Sequence, residues 1–208
     1  MKVLVTGASG FVGTVTSVEA LRRGWQVLGC GRSEHAPLHL ACSWQKWNDD
    51  AEAMARVVES FGPDLVFHAA GSASVAASFE APEADWAASG GTLTTLLEAV
   101  RRSGVKPLIV FPSSAAVYGN PDQLPVPESD TLHPISPYGR HKVRCEELAR
   151  QHRDVHGMHD VGNGSALAQL ILVRLRREDQ RSIKHIRIDG HGGIITSRSR
   201  RQAVISRR

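Results

Sequence analysis

Short apolar runs alternate with amphipathic stretches along most of the chain. The runs 3–5, 25–30, 65–69 and 108–111 are continuously apolar or nearly so, which is typical of parallel strands buried on both faces. Between them, apolar residues recur at helical spacing. Because strands and helices alternate, the pattern predicts an α/β fold: a Rossmann-like, doubly wound parallel sheet with helices on both faces.

Capping residues indicate where the predicted helices begin and end. Asp50 and Ser136 are predicted N-caps, and Gly24 and Gly62 are predicted to follow helix ends. The helices are expected over residues 11–23, 50–61, 82–103 with an interruption near Gly90-Gly91, and 137–156. Residues 33–48 are ambiguous, with a short strand expected around 38–43.

A glycine-rich turn joins the first predicted strand to the first predicted helix. Residues 7–13, GASGFVG, have the spacing G-x-x-G-x-x-G. Glycine lets the backbone approach a pyrophosphate, and the helix N-terminus offers N–H groups and partial positive charge. The context predicts a dinucleotide site at Gly7, Gly10, Phe11, Val12 and Gly13. The alternative is a tight turn that uses glycine for geometry alone.

The end of the second predicted strand bears on the choice of cofactor. An acidic residue there usually accepts hydrogen bonds from the ribose of NAD, but this strand ends in GCGRS. Arg32 and Ser33 could hold a 2′-phosphate instead, which favours NADP over NAD. Glu34 could still serve a ribose, so both cofactors stay open. The alternative for Arg32 is a solvated loop cation.

A tyrosine stands four residues before a lysine near the start of the last predicted helix, in residues 138–142, YGRHK. This spacing puts Tyr138 and Lys142 on one helix face. A cation beside a phenol lowers its pKa and makes it a credible acid or base near neutral pH. Ser114 follows a buried strand, where its hydroxyl could bond the substrate oxygen. Ser114, Tyr138 and Lys142 are therefore the predicted catalytic residues, although Y-x-x-x-K alone would more often be a surface pair.

These motifs follow one another in a characteristic order. After the glycine turn come SSAAVYG at 113–119, Pro127-Glu128 and SPYGRHK at 136–142. Residues 1 to about 157 thereby resemble the extended short-chain dehydrogenases, the NAD-dependent epimerase/dehydratase family that includes UDP-galactose 4-epimerase. His68-Ala69-Ala70 also resembles the family's cofactor wall, and residues 93–99 resemble its central helix.

The resemblance implies an enzyme and assigns roles to its residues. It implies an NAD(P)-dependent epimerase or oxidoreductase that acts on a nucleotide-sugar by hydride transfer. Tyr138 would be the acid/base, Lys142 would bind the nicotinamide ribose and modulate the pKa of the tyrosine, and Ser114 would bond the substrate hydroxyl. His68, Ala69 and Ala70 would line the cofactor site. A homodimer is a further expectation.

Two departures from the family pattern leave a second function open. Ala88 stands where the family usually carries an asparagine, four residues before the threonine of its Gly-Thr pair. Ala115-Ala116 replaces the Asp-Glu pair of the sugar dehydratases, which argues against dehydration. The alternative function is a catalytically weak or inactive dinucleotide-binding module.

The last part of the chain has a different composition. Residues 1–173 are net acidic and residues 174–208 strongly basic, and every Phe, Trp and Tyr lies at or before Tyr138. We predict an NAD(P)-binding domain at 1–157 and an atypical basic tail at 158–208, with the family's substrate domain largely missing. The favoured hypothesis is a truncated or frame-shifted family member. A nucleic-acid-binding arm is disfavoured because no aromatic residue is interleaved for stacking, and a short natural variant is the third reading.

Other sequence features set the remaining expectations. The first residues run directly into a strand, so no signal peptide is expected, and no apolar run is long enough to span a membrane. Three widely spaced cysteines suggest neither disulfides nor a zinc site, and no metal is predicted. The expected location is the cytoplasm.

Overall fold

A six-stranded parallel sheet lies at the centre of the fold. The computed structural model describes residues 1–127, 129–156, 161–162, 186–188 and 194–196. The strands are β1 (Lys2–Thr6), β2 (Gln26–Gly31), β3 (Ser43–Lys46), β4 (Leu65–His68), β5 (Leu108–Val110) and β6 (Val161–Gly162). Their order is β3-β2-β1-β4-β5-β6, with every neighbouring pair parallel. This is the order of a Rossmann-like sheet, so the predicted fold class is confirmed.

Within the described residues, six α-helices accompany this sheet. They are α1 (Phe11–Arg22), α2 (Ala51–Phe61), α3 (Val75–Glu80), α4 (Pro82–Trp86), α5 (Thr92–Ser103) and α6 (Pro137–His156). A π-helical turn at Ala87–Gly91 joins α4 to α5, and a 3₁₀ turn spans Ala115–Val117. Within the described ranges, no helix is both long and apolar enough to cross a membrane.

The chain divides into two compact units, Met1–Leu170 and Ile171–Arg208. In the second, β7 (Ile186–Ile188) pairs antiparallel with β8 (Ile194–Thr196). The predicted domain boundary after residue 157 lies outside the described residues and stays a prediction. Most of the proposed basic tail also lies outside them.

Alternate strand residues face opposite sides of the sheet and build two cores. On one side, Leu4, Val66 and Ile109 pack with buried residues of α2, α5 and α6. On the other side, Val5 and Phe67 belong to the core that includes residues of α1. Helices therefore cover both faces, and the sheet carries the ends of β1, β4 and β5 to one edge.

The third strand is displaced from its predicted position. It was expected around residues 38–43 but spans Ser43–Lys46 and pairs with β2. Trp44 packs over Gly29 and Gly31, where an added Cβ would lie 2.9 Å and 2.8 Å from its ring. The two glycines make room for the indole, so a long-range contact sets the strand position.

The predicted helix boundaries agree closely with the structure. The Asp50 carboxylate accepts a hydrogen bond from the Glu52 N–H at 2.9 Å, and Gly62 follows α2 in the left-handed conformation. The Ser136 hydroxyl accepts from the Gly139 N–H at 3.0 Å at the start of α6. The helix expected over 82–103 is α4, the π-helical turn and α5 in succession, whereas α3 was not predicted.

Candidate active site

The glycine turn after β1 is shaped by close backbone contacts. Gly7 has a φ of +66°, and an added Cβ would lie 2.6 Å from the Ala70 nitrogen. At Gly13 a Cβ would lie 2.2 Å from the Gly7 carbonyl oxygen. At Gly10 it would meet the same oxygen at 3.3 Å, a tight but tolerable contact. Gly7 and Gly13 therefore close the turn, and Gly7 and Gly10 line a groove beside it.

This groove has a volume of about 980 Å³. It runs past the glycine turn and the end of β2, and its lining includes Gly7, Gly10, Gly31, Arg32, Ala69 and Ala70. Gly10 is also the N-cap of α1, and no side chain in the described part of the chain caps that helix by a hydrogen bond. The N-terminus of α1 therefore presents its partial positive charge beside the groove, as a pyrophosphate would require.

The three residues predicted as candidates to contact the adenosine ribose, Arg32, Ser33 and Glu34, differ in whether they line the groove. Arg32 lines the groove. Ser33 is not among its lining residues, and its hydroxyl donates to the His35 carbonyl at 2.8 Å. Glu34 is paired with Lys46, and this hydrogen bond lowers the pKa of the Glu34 carboxyl. Arg32 is thus the one of these three that the structure brings to the groove wall.

A second, smaller cavity of about 170 Å³ shares part of its lining with the groove. The predicted residues that line it come from three parts of the chain and are Val12, His68, Ala69, Ala70, Tyr138 and Lys142. Ala69 and Ala70 also line the groove. Phe11 is not among the lining residues of either space, and its side chain is exposed. The cavity therefore joins the proposed cofactor wall to the proposed acid/base pair.

The start of α6 is held tightly in place. The Tyr138 N–H donates to the hydroxyl of the buried Ser78 at 3.1 Å. An added Cβ at Gly139 would lie 2.5 Å from the Ala116 carbonyl oxygen, so glycine allows the helix to approach the 3₁₀ turn. Ser114 begins that turn, and its hydroxyl accepts from the Ala116 N–H at 3.2 Å. These contacts bring Ser114 to Tyr138.

The Tyr138 phenol is in a largely buried environment. Burial raises its pKa, a hydrogen bond with Ser114 lowers it, and the negative charges of Asp85 and Cys145, when ionised, raise it. The net direction is upward, which is opposite to the direction predicted from the nearby lysine. The Lys142 Nζ lies 5.6 Å from the Tyr138 ring centroid, but burial of the phenol has the larger effect on its pKa.

Lys142 is a partly buried cation that donates a hydrogen bond to the backbone. Its Nζ donates to the Pro112 carbonyl at 3.2 Å. Burial lowers its pKa, and the acidic groups of Cys145, Asp85 and Glu146 oppose that effect. The ammonium is therefore held near Tyr138 by a carbonyl on one side and acidic neighbours on the other.

His68 lies at the end of β4 and is almost fully buried. Its Nδ1 lies 2.7 Å from the Thr6 hydroxyl, and its Nε2 has no hydrogen-bond partner among the residues that the structure describes. Burial, assisted by the positive charge of Lys142, lowers the pKa of His68 to about 3. The imidazole is therefore neutral at neutral pH and cannot serve there as a cationic anchor.

This burial predicts a pH dependence of stability. His68 has an ordinary pKa of 6.5 and a folded pKa of about 3, so between these values the unfolded chain binds a proton that the folded chain does not. The free energy of unfolding should then fall with decreasing pH, with a slope of up to about 1.4 kcal/mol per pH unit from this group. In His68→Gln this contribution is absent. Denaturant titrations of both proteins between about pH 7 and 4 measure it, and parallel curves would contradict the assignment.

Two carboxylates near the site were not identified from the sequence. Glu146 is buried and accepts a short hydrogen bond from the Ser113 hydroxyl. Asp85 is buried, and its Oδ2 lies 2.6 Å from the His141 Nδ1. Glu146 stands four residues after Lys142, so extending the helical spacing could have found it. Asp85 and His141 are distant in sequence, and no local signal pairs them.

The position of the missing family asparagine has a different polar contact. Ala88 lies in the π-helical turn, where its carbonyl accepts from the Thr92 hydroxyl at 2.7 Å. The next residue, Ser89, accepts a hydrogen bond from the Ser72 N–H at 3.1 Å and lines the smaller cavity. Ser89 therefore ties the wall after β4 to this turn.

Comparisons with known proteins agree with this arrangement. The NAD dependent epimerase/dehydratase family model matches residues 3–162. The UDP-glucose 4-epimerase of Streptomyces lividans is 33% identical over 162 residues, which are 76% of this chain and 49% of that protein. That of Corynebacterium glutamicum is 35% identical over 151 residues, 70% of this chain and 45% of that protein. The chain spans about half the length of the curated relatives it matches.

Solved structures give the same result in three dimensions. The UDP-glucose 4-epimerase from Brucella ovis in complex with NAD superposes with a TM-score of 0.71 and 28% identity, over 76% of this chain and 49% of that one. The Thermotoga maritima enzyme with UDP-glucose gives 0.69 and 30%, over 76% and 53%. The family match includes the glycine turn, the groove and the Tyr138–Lys142 helix. This chain belongs to the NAD-dependent epimerase/dehydratase family.

Proposed function

We propose that this chain binds NAD and carries the acid/base residues of a nucleotide-sugar 4-epimerase. The observation that carries the proposal is the meeting of Tyr138 and Lys142 with the wall residues Ala69 and Ala70, which also line the groove beside the glycine turn. The relatives named UDP-glucose 4-epimerase support the reaction class. UDP-glucose and its 4-epimer are accordingly the proposed substrates.

The groove fits a dinucleotide by its backbone geometry. Side chains at Gly7 and Gly13 would collide with backbone atoms, so these glycines preserve a tight turn. Gly10 also lines the groove, beside the N-terminus of α1. The relative from Brucella ovis, described in complex with NAD, favours NAD. Arg32 on the groove wall keeps NADP as the competitor to be measured.

Tyr138, Ser114 and Lys142 have different roles in the proposed reaction. Tyr138 would take the proton from the hydroxyl on the carbon to be inverted and later return it to the same oxygen. The inversion would follow because the sugar turns over in between, so that the hydride returns to the opposite face of that carbon. Ser114, already bonded to Tyr138, would hold the substrate oxygen. Lys142 would stabilise the phenolate by its charge. NAD, when bound, supplies a positively charged ring that can accept and return a hydride.

A second function is favoured by the extent of the family match. The chain spans about half the length of its relatives, and Ala88 replaces the family asparagine. These observations support a module that binds the dinucleotide without turning over a sugar.

Homodimerisation is also a proposal, which sedimentation velocity would measure directly.

The decisive experiment measures binding and turnover separately. NAD and NADP are titrated into the purified full chain by calorimetry, and interconversion of UDP-glucose and UDP-galactose is then assayed with the preferred cofactor. Binding with turnover supports the epimerase, and binding without turnover supports the module. Failure to bind either cofactor would overturn both functions. In Arg32→Ala, a loss of affinity confined to NADP would locate the 2′-phosphate at Arg32.

A further inference from the structure

Helix α6 contacts the loop after β5 at three successive loop residues. The Pro112 carbonyl accepts from Lys142, the Ser113 hydroxyl donates to Glu146, and Ser114 bonds Tyr138. The three helix residues are spaced four apart and therefore share one face of α6. Three consecutive loop residues thus contact three successive turns of the helix that carries the proposed acid/base residue, each loop residue on a different turn.

Of the three α6 residues that contact the loop, Glu146 is the one not predicted from the sequence to belong to the site. Its side chain is buried, although an ionised carboxylate is costly to remove from water unless it is hydrogen-bonded. It accepts a short hydrogen bond from Ser113 and lies close enough to Lys142 for its charge to act on the ammonium. Within the described part of the chain, neither Glu146 nor Ser113 has a hydrogen bond to Tyr138. Any effect of Glu146 on the phenol through Ser113 must therefore pass along the loop to Ser114.

We propose that Glu146 is a positioning residue, which holds the Ser113 hydroxyl and thereby sets the Ser114 hydroxyl against the Tyr138 phenol. This inference rests on the proposed function for its catalytic meaning, but its geometry does not depend on a bound cofactor or sugar. A carboxylate suits the task because it accepts a stronger hydrogen bond than a neutral group does. Along the loop, the Ser113–Glu146 hydrogen bond lies between the contact of Pro112 with Lys142 and that of Ser114 with Tyr138.

The ionisation of Tyr138 distinguishes positioning from a simple charge effect. The hydrogen bond with Ser114 lowers the pKa of Tyr138, so loss of that bond should raise it. Loss of a nearby negative charge should lower it, because the phenolate would meet less repulsion. The two causes thus have opposite signs. Three other groups that act on the site, Asp85 of α4 and Lys142 and Cys145 of α6, are unchanged in every variant below.

The experiment is an ultraviolet titration of phenolate in the full chain without cofactor, with Tyr138→Phe subtracted to isolate Tyr138 from Tyr118. Ser113→Ala keeps the charge of Glu146 and removes the hydrogen bond, so the midpoint should move to higher pH. Glu146→Ala should move it in the same direction, and Glu146→Gln, which keeps an accepting oxygen, should restore most of the native midpoint. Glu147→Gln is the matched control, since Glu147 is the exposed neighbour on the same helix.

The outcomes separate this proposal from the function on which it rests. An unchanged or lowered midpoint in folded Ser113→Ala overturns positioning, whether or not the chain turns over a sugar. If Glu146→Ala fails to fold, as near-ultraviolet circular dichroism would reveal, Ser113→Ala still decides. Where the native chain shows epimerase turnover, Ser113→Ala should lower kcat about 10- to 100-fold with little change in KM or in the Kd of NAD. A shifted midpoint without native turnover supports positioning and contradicts the epimerase alone.

Discussion

Replacing Tyr138 with phenylalanine should lower kcat for UDP-glucose epimerisation by at least about 100-fold and leave the Kd of NAD within about twofold. The ring would still line the cavity, while the hydroxyl group proposed to exchange the proton is removed. The loss should appear in kcat more than in KM because, in the proposed reaction, the phenol acts on the reacting oxygen. Steady-state kinetics with calorimetric NAD binding measure both effects.

Tyr118→Phe is the matched control for this change. Tyr118 is the other tyrosine of the chain, is also buried, and is not a lining residue of the 170 Å³ cavity. It therefore reports the cost of losing a buried phenolic hydroxyl away from the proposed chemistry. Equal losses of kcat in the two variants, or native turnover in Tyr138→Phe, would contradict Tyr138 as the acid/base.

The ionisation of Tyr138 in the native chain bears on the same proposed role. In the protein alone, burial keeps the pKa of Tyr138 above its ordinary value of 10, so the phenol is protonated at neutral pH. Ser114 is the neighbour that acts in the opposite direction, and it does so by a hydrogen bond. In the proposed reaction, proton uptake by Tyr138 would therefore depend on positive charge and hydrogen bonds that stabilise its phenolate, and the placement of Ser114 would matter for that reason.

The sheet and the main motifs could be predicted because each leaves a local signal. Strands buried on both faces, such as Val3–Val5, need no polar alternation, and a strand–turn–helix junction requires glycine where the chain passes close to itself. Asp50 and Ser136 could be identified as caps because a side-chain oxygen at a helix start satisfies free N–H groups. These features depend on a few neighbouring residues.

Features that depend on distant contacts could not be predicted in the same way. Glu146 and Glu147 are adjacent and identical in chemistry, yet one is buried and the other exposed, because each step along a helix rotates the side chain by about 100°. The distinction follows only once Tyr138 and Lys142 fix which face is inward. Burial outweighs the effect of Lys142 on Tyr138 for a related reason: spacing places the two groups on one face but does not reveal their solvation.

Gly10→Ala and Gly13→Ala should separate cofactor binding from the geometry of the turn. At Gly13 the new methyl would lie 2.2 Å from a backbone oxygen, so the turn must open, and the free energy of unfolding should fall by about 1–3 kcal/mol. NAD affinity should fall with it. At Gly10 the nearest atom is 3.3 Å away and φ is −79°, so stability should change little. The methyl would nevertheless project where a pyrophosphate must approach, and the Kd of NAD should rise at least about tenfold.

Gly91→Ala is the control, because Gly91 lines the same groove and a Cβ there meets nothing within 4 Å. It should leave NAD binding unchanged, which shows that a methyl group in the groove is not enough to block the cofactor. Calorimetry gives the three Kd values, and thermal denaturation gives the stabilities. Unaltered NAD affinity in Gly10→Ala, beside a destabilised Gly13→Ala, would show that these glycines serve only the strand–helix turn. Loss of NAD affinity in Gly10→Ala at native stability would instead mean that the cofactor contacts the backbone at Gly10, because the fold and the rest of the groove are unchanged in this variant.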